Sequence, residues 1–425
     1  MKTSPQLQLL LTGNELMSGH TVDSNSAMIA DWLNRRGIEV ARKVTIGDSF
    51  TGLVAELELL SRASDVLIVN GGLGPTVDDL TAEAVAQLIA QPLTEHPEAM
   101  QHLQQWCAQR KLTLNAANRK QAQLPVGATI VPNPSGSAVG FSVEHNGCLI
   151  ICTPGVPSEL RLMMEDSVLA RVADRFPGTD TLSTLRLQSF GLGESSLQQQ
   201  VDNEYPDWPA EVELGFRAGL PLLEVKLTTR QPHHGELQQQ CYQRLQQLMG
   251  EFIVGRDDST LASAVVAALA DQGSQISFAE SCTGGAIAAA ITAVAGASAV
   301  FEAGFVTYSN AIKQQLVGVS SESLAAGGAV SEAVAREMAL GAIANSGARY
   351  AIAVTGIAGP GGGSEDKPVG TVWIAWGTAQ TLQAHRFRLN CSRAHFQLMV
   401  TAISLDLIRR ELLGIEGEPR YFSRY

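Results

Sequence analysis

Short, nearly unbroken apolar runs alternate with longer segments whose apolar positions recur every three or four residues. Gln6 to Thr12 reads as a strand, and Asn25 to Arg36 as a helix because Met28, Ile29, Trp32 and Leu33 fall on one face, with Gly37 placed to end it. Ile38 to Val44 is expected as a second strand and Leu53 to Ser61 as a second helix. DVLIVN, Asp65 to Asn70, is a third strand whose continuous apolar core suits a parallel sheet covered on both faces. CLIIC, Cys148 to Cys152, repeats that pattern, and TPGVPSELRLMMED starts a helix just after its prolines. Such alternation predicts a doubly wound α/β domain over residues 1–175.

The pattern then changes twice. From Leu182 to Arg256 the expected order is strand, helix, strand, strand, helix, a small α+β module assigned to residues 176–256. Beyond it the chain is alanine-rich. Leu261 to Ala270, Gly285 to Val294, Glu332 to Ala344 and Ala394 to Leu413 read as helices. Between them lie strands at Gln275 to Ala279, Ala303 to Tyr308, Tyr350 to Thr355 and Gly370 to Trp376, giving a second α/β layer structure over residues 257–414. The tail, 415–425, ends in EGEPRYFSRY, lacks periodicity and is expected to be loose.

A length of 425 residues agrees with two or three domains, since it exceeds what one hydrophobic core serves. The net charge of −12 sets a nucleic-acid backbone against net repulsion, which argues against a nucleic-acid partner on electrostatic grounds. Six cysteines without a CxxC pair argue against a disulfide framework and a structural zinc site, and for a reducing cytoplasm. The apolar run near the N-terminus is too short for a membrane span, so the protein is expected to be neither exported nor embedded. An alanine-rich domain with little aromatic content commonly completes its core through a second copy, and a homodimer is expected.

Two stretches carry candidate chemistry. NGGLGPTVDDLT, Asn70 to Thr81, follows the third strand and leads into a helix over Ala82 to Leu88. Gly71, Gly72 and Gly74 let the backbone approach a ligand, and the helix start beyond them suits a phosphate. Asp78 and Asp79 would repel that phosphate unless a divalent cation, magnesium or similar, lay between; otherwise they cap the helix. TGNELMSG, Thr12 to Gly19, and VDSNS, Val22 to Ser26, should converge with this loop at one sheet edge, where α/β ligands bind.

FAESCTGG, Phe278 to Gly285, lies between a strand and a helix, which leaves the backbone N–H groups of Thr283, Gly284 and Gly285 as donors for an oxyanion. A hydroxyl or thiol just before them, Ser281 or Cys282, would be the nucleophile. No histidine lies between His234 and His385 to serve as its base. Lys313, in GFVTYSNAIKQQ, follows Ser281 by 32 residues, about one strand-helix-strand crossover, and a buried neutral lysine can deprotonate a serine. Its bland alternative is a solvated helix residue. The later run TGIAGPGGGSEDKPVGTVW, Thr355 to Trp373, reads as a close-fitting ligand wall.

TGNEL, the pair Gly47-Asp48, GGLGPTVDD, NAANRKQA and TPGVPSE resemble the molybdopterin-binding domain family of MogA and MoaB type, in the variant found at the front of CinA proteins. That resemblance implies metal-dependent hydrolysis of ADP-ribose, with Asp48, Asp78 and Asp79 near the metal and Gly71, Gly72, Gly74 and Thr76 around the phosphates. Two positions depart from it: Asn14 stands where an aspartate is common, and Val139 stands in NPSGSAVGF where a second proline is usual.

FAESCTGG, AGASAVFEAGFVTYSNAIK, GAVSE, TGIAGPGGGSEDKPVGTVW and the terminal helix resemble the CinA C-terminal domain, also called PncC, and the middle segment is similar to the KH-like linker of CinA proteins. The resemblance implies hydrolysis of the carboxamide of nicotinamide mononucleotide (NMN) to nicotinate mononucleotide and ammonia. Ser281 would be the nucleophile and Lys313 its base, with Ser298 and Tyr308 in proton relay or alignment. Asn310, Thr355, Gly356 and Gly359 would face the substrate, and Glu280 either steers Lys313 or caps a backbone donor. Such a serine route needs no metal or other cofactor. A non-catalytic competence-related or molybdopterin-type binding protein is the other reading, though the acidic GLGE of the middle segment is unlike a backbone clamp.

Overall fold

The computed structural model describes residues 5–177 and 183–424. Leu182, expected to open the middle segment, lies outside the described residues. Contacts divide the chain into two compact units: one closes at Ser183 and includes Arg230–Pro232, the other comprises Thr184–Thr229 and the chain from His233 onward. The middle module and the alanine-rich part therefore form one unit, although each keeps its own sheet and core.

The first unit contains β1 (Leu7–Thr12), β2 (Val40–Ile46), β3 (Val66–Asn70), β4 (Leu93–Glu95), β5 (Gln123–Pro125), β6 (Thr129–Val131), β7 (Gly140–His145) and β8 (Cys148–Thr153). Its main sheet has the order β2-β1-β3-β8-β7-β6, and β4 pairs with β5 apart from it. Side-chain alternation explains the burial of both faces. Leu7, Leu9 and Leu11 enter the same core as Val66 and Ile68, whereas Leu10 enters the opposite core with Leu67 and Val69. The strands β2, β1, β3 and β8 are parallel, but β7 pairs antiparallel with β8 and β6 antiparallel with β7, so the sheet is mixed. The reversal comes at Asn146-Gly147, where both residues have positive φ (52° and 78°), the two-residue turn that matches the twist of a hairpin.

The middle module folds in the expected order: β9 (Ser183–Ser189), the helix Glu194–Glu204, β10 (Glu213–Gly219), β11 (Leu222–Thr229) and the helix Gly235–Met249. A further strand, β12 (Ile253–Arg256), returns to pair antiparallel with β9.

The remaining strands are β13 (Ile276–Glu280), β14 (Phe301–Val306), β15 (Tyr350–Gly356), β16 (Thr371–Gly377) and β17 (Gln383–Arg388), in the order β14-β13-β15-β16-β17. Phe278, Ile352 and Val354 pack on one side with the helices Leu261–Asp271 and Arg393–Leu413. Ala279, Ala351 and Ala353 pack on the other against Val334, Met338 and Ala342 of the helix Glu332–Ser346. β13 is parallel to its neighbours β14 and β15, and the chain leaves it first to one side and later to the other. Its carboxyl end is a switch point of the kind that opens a ligand crevice in α/β sheets.

The tail is not loose. Tyr421–Arg424 forms a short helix, Tyr421 is buried, and its hydroxyl donates to Asp406 Oδ2 at 2.8 Å. Phe422 stacks on His385 with ring centroids 3.8 Å apart.

Candidate active site

Ser281 follows directly on Glu280, the last residue of β13, and its N–H donates to Val354 O of β15. Lys313 sits in the first turn of the helix Asn310–Val317, whose start is fixed by Ser309 Oγ accepting from Ile312 N. Its stem is folded inward, leaving the residue 1% exposed, and Nζ lies 3.0 Å from Ser281 Oγ. Nζ also donates to Thr307 O at 2.7 Å and Tyr308 O at 3.4 Å. Two carbonyls thus take the two hydrogens of a neutral amine, and its lone pair is left for the serine hydroxyl. Burial pushes the Lys313 pKa below the ordinary lysine value; a negative charge on Cys282 would oppose this. That charge is absent at neutral pH, because burial also drives the Cys282 thiol up to about 12. Cys282 is packed inward at 5% exposed and is no competing nucleophile.

Glu280 is 1% exposed, and its carboxylate accepts from Gly285 N (3.0 Å), Ile287 N (3.2 Å) and Ala288 N (2.9 Å). It is a cap. This corrects the oxyanion donors: Gly285 N–H is held by Glu280, and Gly284 N–H closes a turn on Ser281 O at 3.2 Å. Among the described residues the N–H groups of Cys282 and Thr283 donate to no backbone carbonyl; both face the weakly accepting Cys282 sulfur, and they are the pair left beside Ser281.

A cavity of about 210 Å³ adjoins the serine, lined also by Tyr308, Asn310, Lys313, Thr355 and Gly356. Thr355 is buried and donates its hydroxyl to Ala329 O at 2.7 Å, so it braces the wall. Gly359 contributes its carbonyl, which accepts from Arg393 Nη1 at 2.9 Å. Ser298 is exposed on the turn Ala297–Ala299 and does not line this cavity. Two residues of the terminal helix escape a sequence reading. Arg393 lines the cavity and reaches Tyr308 Oη at 3.3 Å, and Gln397 Nε2 donates to Cys282 O at 2.9 Å. Both follow Ser281 by more than a hundred residues, and no local pattern ties them to it.

In the first unit Asp48, Asp78 and Asp79 line one cavity of about 510 Å³ together with Gly71, Gly72 and Gly74. Gly71 has φ 110°, and a Cβ there would meet Thr12 O at 2.5 Å. Thr76 holds the loop from within: its N–H donates to Asp79 Oδ2 at 2.8 Å and its hydroxyl to Asp78 and Asp79. Lys120, from NAANRKQA, donates to Thr76 O and Asp79 O at 2.7 and 2.8 Å. Asp48 accepts from Thr12 Oγ1 and Asn14 N, while Asn14 Oδ1 accepts from Asp48 N at 3.1 Å, a bridge that puts no second charge beside the carboxylate. Val139 is buried in the core.

Among the described residues no group of three or more His, Cys, Asp or Glu side chains comes close enough to hold a metal ion. Thr76 draws Asp78 and Asp79 into a local turn, and Thr12 with Asn14 holds Asp48 apart from them. The donors therefore do not fit a resident three-carboxylate centre. No helix of the described residues is long and apolar enough to cross a membrane.

A serine hydroxyl facing a buried amine at a sheet switch point, on a chain that also carries a glycine-lined acidic cavity in a separate α/β unit, defines a two-part α/β protein with a hydrolase-like site. Residues 258–412 match the CinA C-terminal domain and residues 8–174 a probable molybdopterin binding domain. A CinA-like protein of Colwellia psychrerythraea is 46% identical over 99% of this chain and 98% of its own. A nicotinamide-nucleotide amidohydrolase PncC of Shewanella oneidensis is 38% identical over 96% of both chains. Among solved structures, competence/damage inducible protein CihA from Agrobacterium tumefaciens is 43% identical over 36% of this chain and 93% of its own, with a TM-score of 0.35. The chain belongs to the CinA family. Its fold is mixed α/β, with a MoaB/MogA-like first domain and a CinA C-terminal domain.

Proposed function

We propose that the protein hydrolyses the carboxamide of NMN at Ser281. The observation that carries this reading is the 3.0 Å approach of buried Lys313 Nζ to Ser281 Oγ, and the name of the Shewanella relative supports the substrate. Ser281 Oγ attacks the carboxamide carbon as its proton passes to Lys313 Nζ, and the resulting oxyanion accepts from the N–H groups of Cys282 and Thr283. Collapse breaks the C–N bond and returns the proton to the leaving ammonia. Water, deprotonated by Lys313, then cleaves the acyl-serine ester to give nicotinate mononucleotide. Every group is supplied by the chain, so a chelator should spare the reaction. Purified protein incubated with NMN, with ammonia measured with and without EDTA, tests this; no ammonia would leave the non-catalytic binding reading. The working form in this reading is a cytoplasmic homodimer, to be checked by sedimentation.

A second reading concerns the first unit, where the wall of the 510 Å³ cavity carries Glu15, Asp48, Asp78, Asp79 and Glu159 and no lysine or arginine. A phosphorylated ligand such as ADP-ribose would be repelled there unless a divalent cation accompanied it, and the cation would supply neutralisation of phosphate charge. Gly71, Gly72, Gly74 and Thr76 would cradle the phosphates. ADP-ribose turnover is expected to need the added metal and to be lost in Asp79→Ala, with ammonia release from NMN unchanged.

A further inference from the structure

The serine loop is organised by a buried carboxyl group, Glu280. The helix Ala286–Thr292 begins five residues after Ser281, and its first-turn N–H groups have no carbonyl partner within the helix. Instead, three of the N–H groups at this end converge on the Glu280 carboxylate. Glu280 is also tied to the base. Its backbone oxygen accepts from Thr307 N at 2.7 Å, and Thr307 O accepts from Lys313 Nζ at 2.7 Å.

We propose that Glu280 is a positioning residue: a carboxylate that folds the serine loop over the helix start and so sets the Cys282 and Thr283 N–H groups beside Ser281 Oγ. This rests on the amidase reading and deepens it. Glu280 takes no proton in the reaction. Three backbone N–H donors occupy the carboxylate oxygens, and no hydrogen bond joins it to Lys313 Nζ among the described residues. It acts through geometry on the transition state, so its loss should fall on kcat and leave KM nearly unchanged.

Glu280→Gln keeps the size but replaces one acceptor by an amide NH₂ that faces backbone donors, and Glu280→Asp keeps the carboxyl group one methylene short. In the full chain, Glu280→Gln is expected to lower kcat about a hundredfold, on the scale of one lost oxyanion donor, with KM within threefold. Its kcat–pH profile should keep the wild-type midpoint, since Lys313 is untouched. Glu280→Asp should recover part of the loss. Burst acylation of Ser281 by p-nitrophenyl acetate, followed by intact mass, should fall in parallel, and this readout does not depend on NMN. A wild type that is acylated in a Glu280-dependent way but releases no ammonia from NMN overturns the substrate reading and keeps this one. A folded Glu280→Gln with kcat within threefold of wild type overturns the proposal. So does a displaced pH midpoint, which would make Glu280 a proton carrier, and so does failure of both variants to fold, which would make it a purely structural cap.

Discussion

Ser281 and Cys282 are adjacent, yet burial separates their chemistry. The thiol, with its pKa pushed up to about 12, stays protonated, while the hydroxyl faces a base. Ser281→Ala is expected to abolish ammonia release from NMN, and Cys282→Ser to retain most of it. At Lys313 the sign of the pH effect follows from burial. The amine must be neutral to act and its pKa is lowered, so kcat should rise with pH through one ionisation below the ordinary lysine value of 10.5. Stability has the same sign: the unfolded chain holds the proton more tightly, so the contribution of Lys313 is complete above 10.5 and is lost as pH falls toward the lowered folded value. Lys313→Arg should be nearly as inactive as Lys313→Ala, because a guanidinium keeps its proton at any working pH. A steady-state pH profile of the three proteins checks both statements.

At the scale of elements, the sequence showed what local pattern controls. The buried strands β1, β3, β8, β13 and β15 and the loops after them follow from apolar runs ending at glycine-rich or hydroxyl-rich stretches, which is why the neighbourhood of Ser281 and the Gly71 loop could be read directly. The reversed direction of β7 rests on Asn146-Gly147, a hairpin signal between two apolar runs that periodicity alone does not show. A helix start has free N–H groups in general, so the sequence offers Thr283, Gly284 and Gly285 alike as oxyanion donors; which of them a buried carboxylate removes depends on how Glu280 is turned. Arg393 and Gln397 reach the site by tertiary packing alone. The strictest backbone demand falls on the loop after β3. Gly71→Ala would force a Cβ onto Thr12 O in a left-handed conformation and should cost about 1–3 kcal/mol. Hydrogen exchange should show the loss in β1 and β3 amides, with NMN turnover intact.

Across the whole molecule, the terminal helix joins chemistry to architecture. Its first turns carry Arg393 and Gln397 to the serine loop, and its last turns bury Asp406 and Arg409, both at 2% exposed or less. Arg409 donates to Asp406, to Ile253 O at 3.0 Å and to Glu251 O at 2.8 Å, while Tyr421 satisfies the other oxygen of Asp406. Tyr421→Phe removes only that hydroxyl and leaves a buried carboxylate oxygen short of a donor, a cost of about 1–3 kcal/mol. Urea unfolding of the second unit should show it as a lower midpoint at unchanged slope.

The same cluster decides where the chain can be cut. The match to the CinA C-terminal domain spans residues 258–412, and both carbonyls that receive Arg409 lie upstream of it, whereas Tyr421 lies downstream. A fragment trimmed to those limits would contain every group that touches Ser281, yet it would take from the buried Arg409–Asp406 pair the two carbonyls and the hydroxyl that complete it. Borders drawn from family resemblance mark what recurs between proteins; here they pass through the joinery of this one, and a fragment intended to fold should begin before Glu251 and keep its final residues free of a fused tag.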